Sequence, residues 1–393
     1  MTTKDTARQT RKTRIVCISD THNQTPKLPQ GDVLIHAGDM TKQGSRHELE
    51  RTVRWLESTD FEAKIVIAGN HDMTLDALFY EKQLNGDGLS NTRKWPEPQN
   101  PEENRKLFTE SKSITYLENE AATIYLNAED GPRTCFKVFG SPYTPNNRNW
   151  AFAYKPGTAQ QMWDTIPLDT DIVVTHTPPL GHCDKVEHDA RTGCGELSQA
   201  LSRVRPMLSV FGHIHDARGV ERVRWNLEGQ TPANGGLTES VEIWQDPGIG
   251  KRQSMVNLSR KGRRPLNNRS RLTRQMSKPE MISQGGPLGR NPTDLPDVLR
   301  HVDDIGNNDA SSVEEALGRV DERVKLKLGG AIECRQGPQR PGEMELGQQP
   351  DVEAGERRET VMINAAFCGA HHLKTAFNKP IVVDVDLPIW EGE

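Results

Sequence analysis

Five short motifs in this chain carry side chains that bind metal ions in proteins, and each motif follows an apolar run. In chain order they are Asp20-Thr-His22, Gly38-Asp39, Gly69-Asn-His-Asp72, Thr175-His176 and Gly212-His-Ile-His215. Carboxylate and amide oxygens and imidazole nitrogens, without a thiolate, favour Mn, Fe, Zn or Mg over a cysteine-type structural zinc site. Two such ions about 3.5–4 Å apart are an arrangement that cleaves phosphate esters.

Short β-strands are the elements that must position these motifs. Apolar runs that are rich in β-branched residues and end at glycine or proline are typical of buried strands. Here they occupy residues 14–19, 33–37, 64–68, 171–175 and 208–211. Sites in open α/β sheets form beyond the carboxyl ends of the strands, so we expect the five motifs to meet at one rim. Gly38, Gly69 and Gly212 would let the backbone turn sharply and approach the metals.

In this order, the five motifs resemble those of the calcineurin-like metallophosphoesterase superfamily. Within it, the chain is most similar to the metallophosphoesterase-domain-containing proteins that are grouped with class III phosphodiesterases. The segments that carry this likeness are Gly31–Asp39, Lys64–His71, Gly140–Pro145, His176–Gly181 and Asn378–Asp384. The resemblance covers about residues 13–250 and 358–390, and it implies a four-layer α/β/β/α sandwich of two mixed β-sheets flanked by helices.

The resemblance also implies a role for each motif residue. Three side chains would bind each metal: Asp20, His22 and His215 the first, and Asn70, His176 and His213 the second. Asp39 would bridge the two ions and is therefore both a ligand and a catalytic residue. A water or hydroxide held between the ions would attack the phosphorus. His71 would protonate the leaving oxygen or stabilise charge on the phosphoryl group, and the alternative is a histidine that only hydrogen-bonds the backbone.

Departures from the wider superfamily narrow the substrate. Ser/Thr protein phosphatases carry Gly-Asp-x-x-Asp-Arg-Gly, whereas here Gly38-Asp39 continues as Met-Thr-Lys42. The aspartate that orients the general acid and the arginine that clamps a phosphoprotein are both missing. Protein phosphatase activity is therefore disfavoured. Some members of the nearest subfamily lose the first histidine of the last motif, but this chain keeps His213, so a complete second metal site is expected.

Three kinds of function remain open from the sequence. The first is a phosphodiesterase or phosphatase with two divalent ions, Mn being preferred over Fe, Zn or Mg, that acts on a small phosphate ester such as a cyclic nucleotide. The second is a metal-dependent nuclease, which the basic residues 251–278 favour only slightly. The third is a metal-binding scaffold with vestigial catalysis, and the intact His71 and His213 count against it.

Composition sets the cellular context. The 393 residues carry a net charge of −5, and only 34% of them are hydrophobic, so part of the chain is expected to pack little. Six scattered cysteines predict reduced thiols in the cytoplasm, with the nucleus as the alternative. No apolar run approaches the roughly 20 residues of a membrane span, and residues 1–12 carry no apolar stretch typical of a secretory signal.

The expected organisation is a single metallophosphoesterase domain at residues 14–393, preceded by a flexible tail at 1–13. From about 229 to 357 the composition shifts to Gly, Pro, Gln, Asn and charged residues, which predicts a largely disordered insert that a protein partner could bind. Strand patterns at 360–366 and 380–385 indicate that the chain then returns to the core. Residues 46–58 predict a crossover helix between the second and third strands.

Overall fold

Fifteen strands and five α-helices are present in the residues that the computed structural model describes, which are 9–85, 95, 97–145, 150–154, 157–186, 190–226, 237–246, 253–262, 264–266, 268, 357–369 and 377–390. All of them belong to one unit formed by residues 1–286 and 355–393. The strands are β1 Thr10–Ile18, β2 Val33–Ala37, β3 Ala63–Ile67, β4 Ile114–Tyr116, β5 Glu120–Tyr125, β6 Cys135–Ser141, β7 Thr144–Pro145, β8 Ala153–Tyr154, β9 Ile172–Thr175, β10 Leu208–Phe211, β11 Gly219–Trp225, β12 Thr238–Ile243, β13 Ser254–Asn257, β14 Glu359–Asn364 and β15 Ile381–Pro388. The helices are α1 Arg46–Glu57, α2 Ala77–Asn85, α3 Pro101–Thr109, α4 Ala159–Trp163 and α5 Gly195–Val204.

Two large mixed sheets contain most of these strands. The first has the order β13-β15-β1-β2-β3-β4, and the second has the order β12-β11-β14-β10-β9-β6-β5. In the first sheet, β1, β2, β3 and β4 run parallel to one another, and β15 is antiparallel to β1. In the second sheet, β6, β9, β10 and β14 are parallel. The prediction of an α/β fold with two mixed sheets is confirmed, and the four-layer arrangement remains a prediction.

The alternation of side chains along β1 separates two apolar clusters. Ile15 and Cys17 belong to a buried cluster that also contains Val210 of the second sheet, whereas Val16 and Ile18 belong to a cluster that contains the apolar face of α1. Successive side chains of a strand point to opposite faces, so β1 is covered on both sides. Such a strand is held rigidly, and its carboxyl end is a firm support for the residues that follow.

The predicted crossover helix is α1. Its apolar residues Leu49, Val53 and Leu56 recur at helical spacing and are buried. At its start, the carboxylate of Glu48 accepts hydrogen bonds of 2.9 Å from both the backbone N–H and the hydroxyl of Ser45. This arrangement stabilises the first helical turn. It also fixes the end of the loop that runs from Gly38-Asp39 to the start of α1. Among the described residues, no helix is long and apolar enough to cross a membrane.

The structure moves the boundary of the expected tail. Strand β1 begins at Thr10, and residues 10–13 pair in antiparallel register with β15, Thr10 opposite Pro388 and Thr13 opposite Val385. The sequence did not indicate a strand here because the side chains are polar, whereas the pairing with β15 is made by backbone hydrogen bonds. Residues 1–8 lie outside the described residues.

The start of the expected insert also differs. Within the region predicted to begin at about 229, β12 pairs with β11 and β13 pairs with β15, each at the edge of a sheet. The charged side chains of β12 face solvent, where Glu239 lies 3.7 Å from Arg224 and Glu242 pairs with Arg264. Exposed edge strands are commonly charged, so their composition resembles that of a solvated loop.

The two ends of the remaining insert lie side by side. The side-chain oxygen of Asn268 accepts hydrogen bonds of 3.0 Å from the backbone N–H groups of both Arg358 and Glu359. Its amide group donates back to the carbonyl oxygen of Glu359. Residues 269–356 are outside the described residues, so the chain leaves and re-enters the described fold at neighbouring points.

We therefore expect that residues 271–354 can be replaced by a short Gly/Ser linker. The free energy of unfolding should stay within about 1 kcal/mol of that of the full chain, because loop length contributes only weakly to it. Denaturant unfolding measures this quantity. As a control, Asn268→Ala in the full chain should lose about 1–3 kcal/mol, since it removes the acceptor of two backbone N–H groups. A deletion variant that no longer folds cooperatively would contradict the prediction that the insert packs little.

Candidate metal centre

All five motifs meet beyond the carboxyl ends of five strands. The first motif follows β1, the second follows β2, the third follows β3, the fourth follows β9 and the last follows β10. Every predicted site residue lies here: Asp20, His22, Asp39, Asn70, His71, His176, His213 and His215. The carboxyl ends of parallel strands lie at the same edge of their sheet, and here each large sheet brings its own motifs to the common rim.

The backbone at this rim is unusually contorted. Asp20, His22, Asp39 and His213 all have positive φ angles, between 42° and 68°. Each such residue costs about 1–3 kcal/mol, and this kind of strain concentrates at functional sites. The strain turns the side chains away from the strand direction and towards one another.

Two glycines allow the loops to pack this closely. Gly38 has a φ of 93°, and a Cβ atom added to it would lie 2.6 Å from the imidazole of His176. A Cβ atom on Gly212 would lie only 2.1 Å from a carboxylate oxygen of Asp20. Any side chain at either position would therefore displace a predicted ligand.

The first group of potential ligands contains Asp20, His22 and His215, whose ligand atoms all lie within 4.8 Å of one another. His215 Nε2 is 3.3 Å from Asp20 Oδ1 and 3.4 Å from His22 Nε2. Asp20 is fully buried, and its two carboxylate oxygens also accept from the backbone N–H of His213 at 3.1 and 3.0 Å. These are the three residues predicted to bind one metal.

The second group contains Asp39, His176 and His213, again with ligand atoms within 4.8 Å. His176 Nε2 lies 3.3 Å from Asp39 Oδ2 and 3.1 Å from the side-chain oxygen of Asn70. The rings of His176 and His213 are 5.0 Å apart between centroids. The residues predicted to bind the other metal are therefore neighbours.

Asp39 lies between the two groups. Its Oδ2 atom is 3.3 Å from His176 Nε2 and 3.8 Å from His22 Nε2. Its other oxygen accepts a 2.7 Å hydrogen bond from the backbone N–H of His71. Burial would raise the pKa of this carboxyl group, but His176 and His71 lower it well below its usual range. An ionised carboxylate therefore faces both groups of histidines.

Backbone carbonyls orient two of the histidines. The Nδ1 atom of His22 lies 3.1 Å from the carbonyl oxygen of Thr41, and Nδ1 of His176 lies 2.9 Å from that of Ala37. A carbonyl can only accept, so each Nδ1 carries a proton and each Nε2 is the nitrogen that faces the site. Such partners commonly fix the orientation of metal-binding imidazoles.

The donor set fits divalent cations. Burial lowers the pKa of His176, but Asp39 and Asp20 outweigh it and raise that pKa to about 9. Asp20 likewise raises the pKa of His215 against the effect of burial. Burial lowers the pKa of His22 and brings that of His213 to about 4. The buried carboxylates thus attract positive charge to nitrogens that already converge, which is the environment a metal pair requires.

Asp72 joins two of the motif loops, a role that the sequence does not reveal. This fully buried carboxylate accepts hydrogen bonds from the backbone N–H groups of Met40 (3.2 Å), Thr41 (2.9 Å) and Gly69 (2.9 Å), and from the Thr41 hydroxyl (2.7 Å). Burial and the nearby Asp39 raise its pKa to about 6. It ties the loop after β2 to the loop after β3, which holds the ligands of both loops in register.

His71 lies at the edge of the site and is partly exposed. Its Nδ1 atom donates to the backbone carbonyl of Lys42 at 2.9 Å, and its ring meets that of His22 edge-on at 4.7 Å between centroids. The carbonyl of Lys42 thus holds the imidazole although the chain lacks the orienting aspartate of protein phosphatases. The sequence analysis allowed a backbone hydrogen bond for His71, but it could not name the Lys42 carbonyl as the partner, because residue types do not show which backbone group lies nearby.

Comparison with known proteins agrees with this geometry. Residues 13–217, just over half of the chain, match the family model for calcineurin-like phosphoesterases. The chain therefore belongs to the calcineurin-like phosphoesterase family, a class of metal-dependent phosphoester hydrolases, and the predicted resemblance is confirmed.

Individual relatives cover about half of the chain. It is 44% identical over 216 residues to a probable rhamnogalacturonate lyase C of Emericella nidulans, a match that spans 54% of this chain and 18% of that protein. It is 39% identical over 218 residues to metallophosphoesterase domain-containing protein 1 of Homo sapiens, a match that spans 53% of this chain and 62% of that protein. It is 36% identical over 214 residues to a UPF0046 protein of Caenorhabditis elegans, a match that spans 53% of this chain and 65% of that protein. The chain thus spans less than two thirds of each of these relatives.

Proposed function

We propose that this protein hydrolyses a small phosphate ester with the help of two divalent metal ions, and that its substrate is a phosphodiester such as a cyclic nucleotide. The observation that carries the proposal is the position of the Asp39 carboxylate between the Nε2 atoms of His22 and His176. A carboxylate can offer an oxygen to each of two cations, so this position suits a bridging ligand. Membership of the phosphoesterase family supports the same reading.

The residues that would hold the metals are the two groups described above together with Asn70: Asp20, His22 and His215 for one ion, Asn70, His176 and His213 for the other, and Asp39 for both. When bound, the ions supply Lewis acidity towards the phosphoryl oxygens and a nucleophilic water at neutral pH. Oxygen and imidazole ligands suit manganese, our first choice, and leave iron, zinc and magnesium as alternatives.

His71 would move the proton to the leaving group. Its Nδ1–H is held by the carbonyl of Lys42, which leaves Nε2 as the nitrogen that exchanges a proton with the substrate. An imidazolium would donate the Nε2 proton to the departing oxygen and keep its Nδ1–H bond unchanged. Its backbone N–H already donates to the bridging Asp39, so the proton donor and the metal ligand keep a constant separation.

The alternatives call on different features. A nuclease would use the basic segment 251–278, half of which lies outside the described residues, and its binding to DNA or RNA would weaken steeply with salt. A vestigial scaffold would bind metal without turnover. The cytoplasm is the proposed location, with the nucleus as the alternative, because four cysteines of the described residues are free thiols: Cys17, Cys183, Cys194 and Cys368. A partner protein that binds the charged insert remains a further proposal.

A substrate panel tests these functions directly. Metal-free protein is reconstituted with manganese and assayed on cyclic nucleotides, an artificial nitrophenyl phosphodiester, phosphomonoesters and single-stranded DNA. We expect manganese-dependent turnover of the diesters that exceeds turnover of monoesters and DNA. Preferential cleavage of DNA would favour the nuclease. Stoichiometric metal binding without turnover of any ester would favour the scaffold.

A further inference from the structure

An indole ring covers one side of the proposed proton donor. The rings of Trp150 and His71 are 4.3 Å apart between centroids and inclined by 35°, which is a nearly stacked contact. The ring of His22 meets the same imidazole edge-on at 4.7 Å. The His71 ring is therefore in contact both with a predicted metal ligand and with a tryptophan from a distant part of the chain.

The segment that carries Trp150 is anchored close to His71. Ala151 and Phe152 are buried in the apolar cluster that also contains Met73, two residues after His71. The backbone N–H of Phe152 donates to Asp76 Oδ2 at 2.8 Å.

Two further hydrogen bonds hold Asp76 and Phe152 in place. The other oxygen of Asp76 accepts from the backbone N–H of Phe79 at 3.0 Å, and the carbonyl of Phe152 accepts from the N–H of Thr144 at 2.8 Å. Asp76 lies five residues after His71, so the loop with the imidazole and the segment with the indole are fastened to each other. The contact between their rings is therefore built into the fold.

We propose that Trp150 is a positioning residue that holds the His71 imidazole in the orientation needed for proton transfer, an inference that rests on the proposed function. The hydrogen bond from Nδ1 to the carbonyl of Lys42 fixes one atom of the ring and leaves the ring free to tilt about that bond. The flat face of Trp150 opposes this tilt, and the ring of His22, which is in T-shaped contact with the same imidazole, limits it further. A misplacement of about 1 Å of a reacting group can cost about 10²-fold in rate.

Kinetics of two Trp150 variants test the inference. Trp150→Ala should keep both metals and lower kcat about 10–10²-fold for a diester with a poor, alkoxide leaving group. The loss should be smaller for a nitrophenyl diester, whose leaving oxygen needs little protonation, and Trp150→Phe should restore most of the activity because it keeps a flat ring. Trp390→Ala is the matched control, since Trp390 is also half-buried but packs against Tyr125, away from the site. An equal loss on both substrates, or a loss of metal, would overturn the inference.

A double variant asks whether Trp150 acts only through His71. In the His71→Ala background, Trp150→Ala should change kcat by less than about twofold, because residues that act through one another are not additive. A loss as large as that in the wild-type background would show that Trp150 acts elsewhere.

Nuclear magnetic resonance separates this inference from the proposed function, because it needs no turnover. In the protein loaded with diamagnetic zinc, the ring protons of His71 should be shifted by the indole ring current, and Trp150→Ala should remove that shift while Trp390→Ala leaves it. An unshifted His71 overturns the role of Trp150. A shifted His71 in a protein that turns over no phosphate ester supports the positioning contact and rejects the proposed function instead.

Discussion

Asp39→Asn should abolish turnover and weaken the binding of both metals. The substitution replaces the buried carboxylate that faces His22 and His176 with a neutral amide, which has one acceptor oxygen and one NH₂ group. Because Asp39 Oδ1 also accepts the backbone N–H of His71, an amide cannot satisfy that bond and two cations at once. We expect kcat to fall by at least about 10²–10³-fold, the usual effect of removing a group that stabilises transition-state charge.

Elemental analysis of the purified variant measures the occupancy of both sites. Asp130→Asn makes the same chemical change on an exposed turn and should leave metal content and kcat unchanged. Full occupancy of both sites in Asp39→Asn would reject the bridging role, even if activity were lost.

His71→Ala should separate proton transfer from metal binding. We expect both metals to be retained, because Asp20, Asp39 and the remaining histidines are untouched, and kcat to fall by about 10²–10⁴-fold, the typical span for a general acid. The loss should shrink for a nitrophenyl leaving group, which departs without a proton. Measurement of kcat with matched alkyl and nitrophenyl diesters gives the comparison.

His47→Ala is the matched control, since His47 is exposed on α1. It should alter neither kcat nor metal content. Equal losses on good and poor leaving groups in His71→Ala would instead indicate that His71 binds the phosphate in the ground state. Loss of metal in that variant would place His71 among the ligands, a possibility that the close group of His22, Asp39 and His71 makes worth testing.

Much of the candidate site is predictable because its chemistry is local in sequence. Each motif directly follows an apolar run, so strand ends and ligand types can be read together, and the structure brings all five together. The contacts that orient the site are not predictable in this way. The bond from His71 to the carbonyl of Lys42 and the contact with Trp150 join residues that are 29 and 79 positions apart, and neither partner belongs to a metal-binding type.

The strands that are buried on both faces could be predicted from the sequence, and the strands at the edges of the sheets were harder to predict. Strands such as β2 and β9 are wholly buried and read as apolar runs. Strand β12 is mostly exposed, and its polar and acidic residues resemble those of a charged loop. Likewise, residues 10–13 belong to β1 because their backbone pairs with β15. The types of these residues do not indicate such pairing.

Two contacts suggest where the chain of this fold could be cut and rejoined. Thr10 pairs with Pro388, and Asn268 accepts hydrogen bonds from Arg358 and Glu359. The first pair brings together the outer ends of β1 and β15, and the second set brings together the two sides of the break in the described chain. A circular permutant that begins at Arg357, joins Trp390 to Gln9 through a short linker and ends at Asn268 would keep every strand and every metal-binding motif. We therefore expect the rim that carries the five motifs to depend on which strands lie side by side and not on their order in the sequence.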